Sequence, residues 1–341
     1  MKGEKVQPLD AAAMALAQAQ WNAVAKPLNS LGRFEKLVIQ MAGITGDSNV
    51  QVSPACVLVC CADNGVVAEG VSQSGQDVTR RVAQSIARGE ANVNLMAQAV
   101  SADVFCVDMG MAERVPDARI IDCSPGHGTG NIACGPAMTR EEAERAVAQG
   151  KALVQTMKRR GYRMIATGEM GIGNTTSTAA IVSAFLGLPP ELTVGRGTGI
   201  NDERMAIKRK VVADGLAKNQ PKLGDAMDIL CKVGGYDHAG LAGMIVAGAR
   251  RRVPTMVDGV NATAAALLAY GIEPSCAEYM ICSHLSAEIS HAKMLEVLQL
   301  RPIVDAGMRL GEGTGASLAI VILQMAINTY QELHKRGAAN A

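Results

Sequence analysis

Short and almost wholly apolar runs recur along the chain after residue 54, and longer segments with helical spacing separate them. Such runs predict buried strands at residues 55–62, 102–107, 163–167, 228–233, 255–258 and 279–282. Between them, residues 77–100, 139–161 and 262–270 repeat apolar positions three and four apart, which predicts helices. Strands that are apolar on both faces and alternate with helices are typical of a parallel sheet covered on both sides. The pattern therefore predicts an α/β fold with a doubly wound, mostly parallel sheet.

The first 45 residues have a different texture, because they contain helical spacing and no strand pattern. Residues 11–26 are rich in strong helix formers, and residues 31–42 place apolar side chains at helical intervals. We therefore predict a small helical appendage at 1–45 and a large α/β domain at 46–310. Residues 311–341 carry a glycine-rich turn and a last helix, which we expect to complete the small domain.

Composition narrows the classes of function. A formal net charge of +1 gives no long-range basic field for nucleic acid, and the apolar runs are too short to span a membrane. The first residues lack the apolar core of a signal peptide, so we expect a cytoplasmic location. Only 19% of residues are charged, which favours an oligomer that buries part of its surface. The nine cysteines include no CxxC pair, so they are expected to be reduced core thiols and not metal ligands.

The segment ATGEMGIGNTTSTAA, residues 166–180, follows a predicted strand and opens a predicted helix. Gly171 and Gly173 would let main-chain N–H groups approach an anion, and the helix N-terminus would add favourable partial charge. Glu169 supplies a carboxylate that a simple phosphate loop does not need. The segment lacks the Gly-Lys-Ser/Thr of a Walker loop and the glycine spacing of a dinucleotide site. We interpret it as a ligand-binding loop.

The segment GEGTGAS, residues 311–317, places Glu312 between Gly311 and Gly313 just before the last helix. Flanking glycines leave room for a substrate beside an exposed carboxylate. Partial desolvation there would raise its affinity for a proton, as a general base requires. The alternative is that Glu312 is an acid that caps the last helix.

Three further clusters are open to two interpretations. Arg196 lies in a glycine-rich loop before a basic helix, in which Lys208 either meets a phosphate or belongs to a solvated face. Asp258 and Gly259 end a strand and suit a ribose hydroxyl or a helix cap equally well. The segment CSHLSAEISH contains His284, Glu288 and His291 without the HExxH spacing of a metal site, which favours a structural role.

Several of these blocks occur together in one family. ADNGVVAEGVS, GEMGIGNTT, VGRGTG, KVGGYDHAGLAGM, SHLSAE and RLGEGTGA, in this order, resemble the nicotinate-nucleotide–dimethylbenzimidazole phosphoribosyltransferases over nearly the whole chain. The resemblance implies that nicotinate mononucleotide and an aromatic acceptor give an α-linked riboside phosphate and nicotinate. It also implies that Glu312 is the general base and that Glu169 is a second acid in the same pocket.

The resemblance further implies a set of substrate-binding residues. They are Ser72, Arg80, Gly171, Gly173, Asn174, Thr175, Arg196, Lys208, Asp258, Gly259, Ser286, Arg309, Gly311 and Gly313. Lys208 falls where a neighbouring subunit contributes to phosphate binding in the family, which implies a homodimer or a heterodimer with a paralogous chain.

The implied chemistry needs no metal and no cofactor, because nicotinate leaves from a positively charged pyridinium without protonation. The sequence leaves the acceptor open. Asp63-Asn64-Gly65 replaces the Asp-His-Gly of many members, and the segment from Ser72 to Arg80 departs from the family on the acceptor side. Two alternatives to a benzimidazole acceptor therefore stay open. One is transfer to phenol or p-cresol as the catalytic subunit of a heterodimer, and the other is a non-catalytic partner subunit.

Overall fold

The computed structural model describes residues 5–197 and 199–339. Its centre is a sheet of six parallel strands in the order β3-β2-β1-β4-β5-β6. The strands are β1 (Ala55–Ala62), β2 (Asp103–Gly110), β3 (Ile120–Asp122), β4 (Met164–Met170), β5 (Thr255–Val257) and β6 (Met280–Cys282). A separate short parallel pair consists of β7 (His284–Leu285) and β8 (Val304–Asp305). The predicted α/β class is confirmed.

Helices cover both faces of the sheet. In chain order they are α1 (Ala11–Asn22), α2 (Arg33–Thr45), α3 (Asp77–Arg88), α4 (Asn92–Gln98), α5 (Arg140–Arg159), α6 (Asn174–Leu186), α7 (Asp202–Asn219), α8 (Ala226–Val233), α9 (Tyr236–Arg250), α10 (Val260–Ile272), α11 (His291–Val297) and α12 (Thr314–Ala339). Helices α1 to α4 and α12 share one apolar core with the sheet, and α5 to α11 share the other.

The side-chain alternation of β1 explains why its sequence is apolar throughout. Successive side chains of a strand point to opposite faces, and here both faces are buried. Cys56, Leu58 and Cys60 pack into the core on the α5–α11 side. Val57, Val59 and Cys61 pack into the core on the opposite side.

The predicted strand at 228–233 is wrong, because these residues belong to α8. The Asp225 side chain caps this helix by accepting a hydrogen bond from the main-chain N–H of Asp228. The buried positions Ala226, Ile229, Leu230 and Val233 follow helical spacing, which a short apolar window does not separate from a buried strand. The predicted helix at 77–100 is divided into α3 and α4, since Gly89 ends α3 with a left-handed φ of +81°.

The N-terminal helices pack against α12. The rings of Trp21 and Tyr330 lie 5.0 Å apart, and the Tyr330 hydroxyl donates to the main-chain oxygen of Ser48 over 3.1 Å. These helices share their apolar core with the sheet. The domain boundaries at 45 and 310 stay a prediction. No helix among residues 5–197 and 199–339 is both long and apolar enough to cross a membrane.

The strand order fixes where a ligand site belongs. Strands β1 and β4 are neighbours at the centre, and the chain winds away from them in opposite directions. A crevice opens at such a switch point, outside the carboxyl ends of the strands. The glycine-rich segment that follows β4 lies at this edge, as does the loop after β5.

Candidate active site

A cleft of about 240 Å³ lies at the carboxyl edge of the sheet. Its volume is slightly below the usual range of small-molecule sites, roughly 300–1,000 Å³. The predicted site residues that line it are Glu169, Gly171, Asn174, Thr175, Gly259, Ser286, Arg309, Gly311 and Glu312. The structure therefore brings the two glycine-rich segments together, although about 140 residues separate them in the sequence.

The turn that carries Glu312 has a left-handed backbone at three successive residues. The φ angles are +90° at Gly311, +63° at Glu312 and +88° at Gly313. A non-glycine residue with such a φ is uncommon and costs roughly 1–3 kcal/mol. In this conformation the main-chain N–H of Glu312 donates to the main-chain oxygen of Glu169 over 3.1 Å. The turn is thereby attached to the end of β4.

The Glu312 carboxyl group is buried, with only 7% of the residue exposed, so the exposed carboxylate expected from the sequence is wrong. The main-chain N–H of Val93 hydrogen bonds to this group, while its Oε2 atom finds no partner among the described residues. Burial raises the pKa of Glu312, as we expected for a partly desolvated acid. A buried carboxyl oxygen at a cleft wall with a free lone pair can accept a proton from a bound molecule.

Glu169 lies at the end of β4 and is also buried. Asn261 donates from Nδ2 to its Oε1 over 3.0 Å, and Asn174 donates from Nδ2 to its Oε2. Burial raises the pKa of Glu169 to about 8, against the opposing effect of the Asn261 hydrogen bond and with a further increase from the nearby Asp237 charge. Near neutral pH this acid can therefore either hold or release a proton.

Of the two roles predicted for Asp258, a contact to a ribose hydroxyl or a helix cap, the structure shows the helix cap. Its carboxylate accepts hydrogen bonds from the main-chain N–H groups of Gly313 over 3.1 Å and of Ala316 over 2.8 Å, which caps α12. The residue is buried beneath the cleft and does not line it. The helix-capping alternative suggested for Glu312 thus belongs to Asp258.

A buried lysine lies behind the cleft wall at Thr175. The Nζ atom of Lys208 donates to the Thr175 hydroxyl over 2.7 Å and to the main-chain oxygen of Gly195 over 3.2 Å. Lys208 is buried, so it is not part of a solvated face, and burial lowers its pKa to about 8. Lys208 therefore contacts Thr175, a residue of the cleft wall, within the same chain.

Glu288 lies at the same part of the cleft wall. Its Oε1 atom accepts a hydrogen bond from the main-chain N–H of Gly197 over 2.9 Å, and its negative charge raises the pKa of Lys208 against the effect of burial. Gly195 leaves room for this carboxylate, since a Cβ atom there would lie 1.8 Å from Glu288 Oε2 and would displace the Glu288 side chain. The lysine therefore has a carboxylate nearby within the chain.

Ser286 is oriented by the neighbouring histidine side chain. The main-chain N–H of Ser286 donates to Nδ1 of His291 over 2.8 Å, and Nε2 of His291 lies 2.8 Å from the Thr263 hydroxyl. Burial lowers the pKa of His291 to about 3, which keeps it neutral. Within the described part of the chain, no three His, Cys, Asp or Glu side chains are arranged to hold a metal ion.

Besides Asp258 and Lys208, two arginines and a serine assigned to binding do not line the cleft. The Arg80 side chain pairs with Glu113 at 3.1 Å. The Ser72 hydroxyl accepts the main-chain N–H of Ser74 over 3.2 Å. The Arg196 guanidinium pairs with Asp202 at 2.5 Å and stabilises its own loop.

Two glycines assigned to binding also lie outside the lining of the cleft. Gly173 lies beneath it at the start of α6, with a left-handed φ of +91°. Gly313 lies at the start of α12, where its main-chain N–H donates to Asp258. Both glycines therefore shape the turns that carry the acids and do not themselves face the cleft.

Comparison with known proteins agrees with this arrangement. A family model described as phosphoribosyltransferase matches residues 6–340. The nicotinate-nucleotide–dimethylbenzimidazole phosphoribosyltransferase of Geobacter sulfurreducens is 42% identical over 330 residues, which cover 96% of this chain and 94% of that protein. The corresponding protein of Roseiflexus is 40% identical over 98% of this chain and 95% of its own length. The crystal structure of CobT from Thermus thermophilus matches with a TM-score of 0.90 and 39% identity, over 94% of this chain and 96% of that one.

The chain belongs to the nicotinate-nucleotide–dimethylbenzimidazole phosphoribosyltransferase family.

In this family member, the cleft contains residues that the sequence did not single out. Val78 and Val82 lie one turn apart on α3 and face the cleft with Met170 and Leu310. The helical spacing of residues 77–88 could have identified them, since Val78 and Val82 are four residues apart and share one helix face. Arg80 lies between them on another face. These four apolar side chains form a wall suited to a flat aromatic ring.

Asn261 was also missed. It lies two residues after Gly259 in the segment MVDGVNAT, and its amide reaches both Glu169 and the Asn174 side chain. From the sequence alone, an asparagine at the start of a helix cannot be distinguished from an ordinary helix cap. Only the tertiary arrangement shows that it contacts the acid.

Proposed function

We propose that this chain transfers the phosphoribosyl group of nicotinate mononucleotide to 5,6-dimethylbenzimidazole or a similar base. The products are the α-riboside 5′-phosphate and nicotinate, for assembly of the cobamide nucleotide loop. The observation that carries the proposal is the buried Glu312 carboxyl group, which has a free oxygen at the wall of the cleft. Membership of the family supports the same conclusion.

In the proposed reaction Glu312 is the general base. A nitrogen of the acceptor attacks C1′ of the ribose while the bond from C1′ to the pyridinium nitrogen breaks. The bonding electron pair neutralises the pyridinium, so nicotinate leaves without a proton from the protein. The acceptor N–H proton passes to the Glu312 carboxylate, whose raised pKa suits this transfer. Attack from the face opposite nicotinate converts the β linkage into α.

Glu169 acts as the second acid of this proposal. Positive charge develops on the ribose at C1′ as the pyridinium bond lengthens, and a nearby carboxylate lowers the energy of that state. Both oxygens of Glu169 already accept N–H groups of asparagines, which favours the ionised form. The asparagines also fix the position of the carboxylate before substrate binds.

The phosphate is proposed to bind at the end of the cleft lined by Thr175, Ser286 and Arg309, with Lys208 behind Thr175. Phosphate groups are bound by cationic side chains and by hydroxyl groups, and these residues supply both. Gly171 allows the loop after β4 to pack against the end of β1, since a Cβ atom there would lie 2.3 Å from the main-chain oxygen of Ala62. The acceptor then occupies the apolar wall described above, between α3 and the turn before α12.

The experiment that tests this proposal measures nicotinate release and identifies the products by mass. The purified chain is given nicotinate mononucleotide with an equimolar mixture of 5,6-dimethylbenzimidazole, phenol and p-cresol. The proposal expects the benzimidazole riboside phosphate as the main product. A phenolic riboside as the main product would assign the chain to phenol transfer, and no product with any acceptor would assign it to a non-catalytic subunit.

We further propose that the chain acts in the cytoplasm as a dimer, with a second copy or with a paralogous chain. All nine cysteines are free thiols, which suits a reducing compartment. The low content of charged residues supports a buried subunit interface. Light scattering of the purified chain gives its oligomeric state, and a monomer with full turnover would contradict the proposed dimer.

A further inference from the structure

Behind the cleft, six buried polar side chains form a closed ring of short contacts. Their order around the ring is Glu169, Asn261, Thr178, His238, Asp237 and Asn174. Each of the six residues is less than one tenth exposed. They come from four elements, since Glu169 lies on β4, Asn174 and Thr178 on α6, Asp237 and His238 on α9, and Asn261 on α10.

The direction of the hydrogen bonds is fixed at the two asparagines. Asn174 and Asn261 both direct their Nδ2 groups towards Glu169, as its ionised form requires, because a carboxylate only accepts. The second N–H of Asn261 goes to Asn174 Oδ1 over 3.2 Å, and the second N–H of Asn174 goes to Asp237 Oδ2 over 3.1 Å. Asn261 therefore presents its Oδ1 atom to Thr178.

The same direction continues through Thr178 to His238. The Thr178 hydroxyl donates its one proton to Asn261 Oδ1 over 2.8 Å. Its oxygen can then only accept from His238 Nε2, which lies 2.8 Å away. His238 must consequently carry a proton on Nε2.

The other ring nitrogen of His238 faces Asp237. Nδ1 lies 3.0 Å from Asp237 Oδ1, at an angle too oblique for a good hydrogen bond. Two lone pairs at this distance would repel each other, so a proton lies on one of the two groups. Asp237 also accepts the main-chain N–H of His238 and the Asn174 amide, and both hydrogen bonds favour its ionised form. Burial alone would raise the pKa of Asp237, but the His238 charge and these hydrogen bonds lower it.

Helix N-termini around the ring act against the burial that raises the pKa of Glu169 to about 8. Helices α6, α9 and α10 all begin at this ring, and helix N-termini stabilise negative charge. The titratable groups that face the ring are His238 and Asp237 on α9, Cys60 on β1, Asp63 after β1, Asp258 after β5 and Glu312 in the turn before α12. The negative charges of the carboxylates among them repel an ionised Glu169 and so favour its protonated form.

We propose that Thr178 and His238 are positioning residues, which orient the Asn261 amide and thereby keep both oxygens of Glu169 as hydrogen-bond acceptors. Neither side chain lines the cleft, and neither needs to touch a substrate. This role goes beyond the proposed function and rests on it, since it concerns the acid that is proposed to stabilise the transferred group.

Removing the Thr178 hydroxyl should therefore change the titration of Glu169. Without it, Asn261 Oδ1 has no donor, and the amide can rotate to place Oδ1 against Glu169. An amide oxygen at that position pairs only with a protonated carboxyl group. The protonated form of Glu169 then becomes more stable, and the acid-side limb of the pH profile moves to higher pH.

The test compares Thr178→Val with Thr178→Ser in the full-length chain. Valine keeps the shape of threonine and removes the hydroxyl, whereas serine retains the donor. We expect the midpoint of the kcat profile to rise by about one pH unit in T178V, with the KM for nicotinate mononucleotide changed less than about twofold. In T178S the midpoint is expected to return to the wild-type position. If T178V does not fold, Thr178→Ala serves instead, because it also removes the hydroxyl.

A second measurement separates this inference from the proposed function. Carbon-13 NMR of carboxyl-labelled glutamate, with Glu169→Gln to assign the signal, follows the titration of Glu169 without turnover. A rise in the Glu169 midpoint in T178V supports the positioning role even if the wild-type chain is inactive with every acceptor. An unchanged midpoint in a folded T178V or T178A variant would overturn it, even if the wild type transfers phosphoribose.

Discussion

The main-chain N–H of Glu312 and the main-chain oxygen of Glu169 are joined by a hydrogen bond of 3.1 Å. This bond connects the turn before α12 to the end of β4, and it places two buried acids at one wall of the cleft. A main-chain contact does not depend on the protonation of either side chain. The two carboxyl groups can therefore change charge during a reaction without loss of the turn.

Replacing Glu312 with glutamine should remove the proposed base and leave the turn in place. The main-chain bond to Glu169 persists, and glutamine has nearly the same shape. We expect kcat to fall by about 10²- to 10⁴-fold, the usual contribution of a positioned base. The affinity for nicotinate mononucleotide, measured by calorimetry, should change little. Turnover close to the wild-type value in E312Q would contradict the assignment.

The pH dependence of turnover should reflect Glu169. Its pKa of about 8 means that the ionised fraction rises about tenfold between pH 7 and pH 9. If the ionised form is the active one, kcat at saturating nucleotide rises by a similar factor over this range and falls as the pH decreases. Glu169→Gln should lower kcat and abolish the limb near pH 8. A limb that persists in E169Q would show that another group controls it.

Lys208 should contribute to binding more than to chemistry. Lys208→Met keeps most of the buried volume and removes the charge near Thr175. A hydrogen bond to a charged group contributes about 1.5–3 kcal/mol, so the Kd for nicotinate mononucleotide should rise roughly ten- to one-hundred-fold. Titration calorimetry measures this change, and kcat at saturation should fall by less.

The matched control for this variant is Lys210→Met on the same helix. Lys210 is exposed and pairs with Asp214 one turn away. The variant makes the same change of side chain and of charge, at a position outside the cleft lining. Its Kd should stay within about twofold of the wild type. Equal losses in the two variants would indicate a general effect of charge and not a phosphate contact.

Much of the fold follows from local pattern, and the exceptions have physical causes. Strand β1 was predictable to its ends because both faces of a central strand are buried. Residues 228–233 misled the prediction because an amphipathic helix of eight residues contains a run of apolar residues as short as a strand. The break at Gly89 depends on a left-handed φ, which the sequence suggests only by the presence of glycine.

The candidate site was predictable where chemistry and backbone requirements coincide. Glycines around an acid, as at Glu312, identify a turn that packing does not explain. The burial of that acid was not predictable, since it depends on α4, whose residue Val93 is about 220 positions earlier in the chain. Arg80 and Arg196 were assigned to binding from family positions, but each forms an ion pair outside the cleft. The direction of a side chain is set by neighbours that a linear pattern does not contain.

Two glycines with left-handed backbone offer a direct test of the link between the turn and the acid. Gly311 has a φ of +90°, and a Cβ atom there would lie 2.8 Å from Glu169 Oε1. Gly307 has a φ of +62°, and a Cβ atom there would meet nothing within 4 Å. Alanine at either position adds backbone strain of about 1–2 kcal/mol. Alanine at 311 also pushes on the Glu169 carboxylate, which its two asparagine partners hold in place.

We therefore expect Gly311→Ala and Gly307→Ala to lower the free energy of unfolding by similar amounts, measured by urea denaturation. Their turnover should differ. G307A should keep kcat within about twofold of the wild type, whereas G311A should lose at least about tenfold, because a displacement of even about 1 Å in a positioned group is costly. The pH profile identifies the cause, since displacement of Glu169 from Asn261 and Asn174 removes hydrogen bonds to its charged form and shifts the limb to higher pH. If G311A and G307A lose activity equally, strain in the segment is responsible, and the contact between Gly311 and Glu169 has no catalytic role.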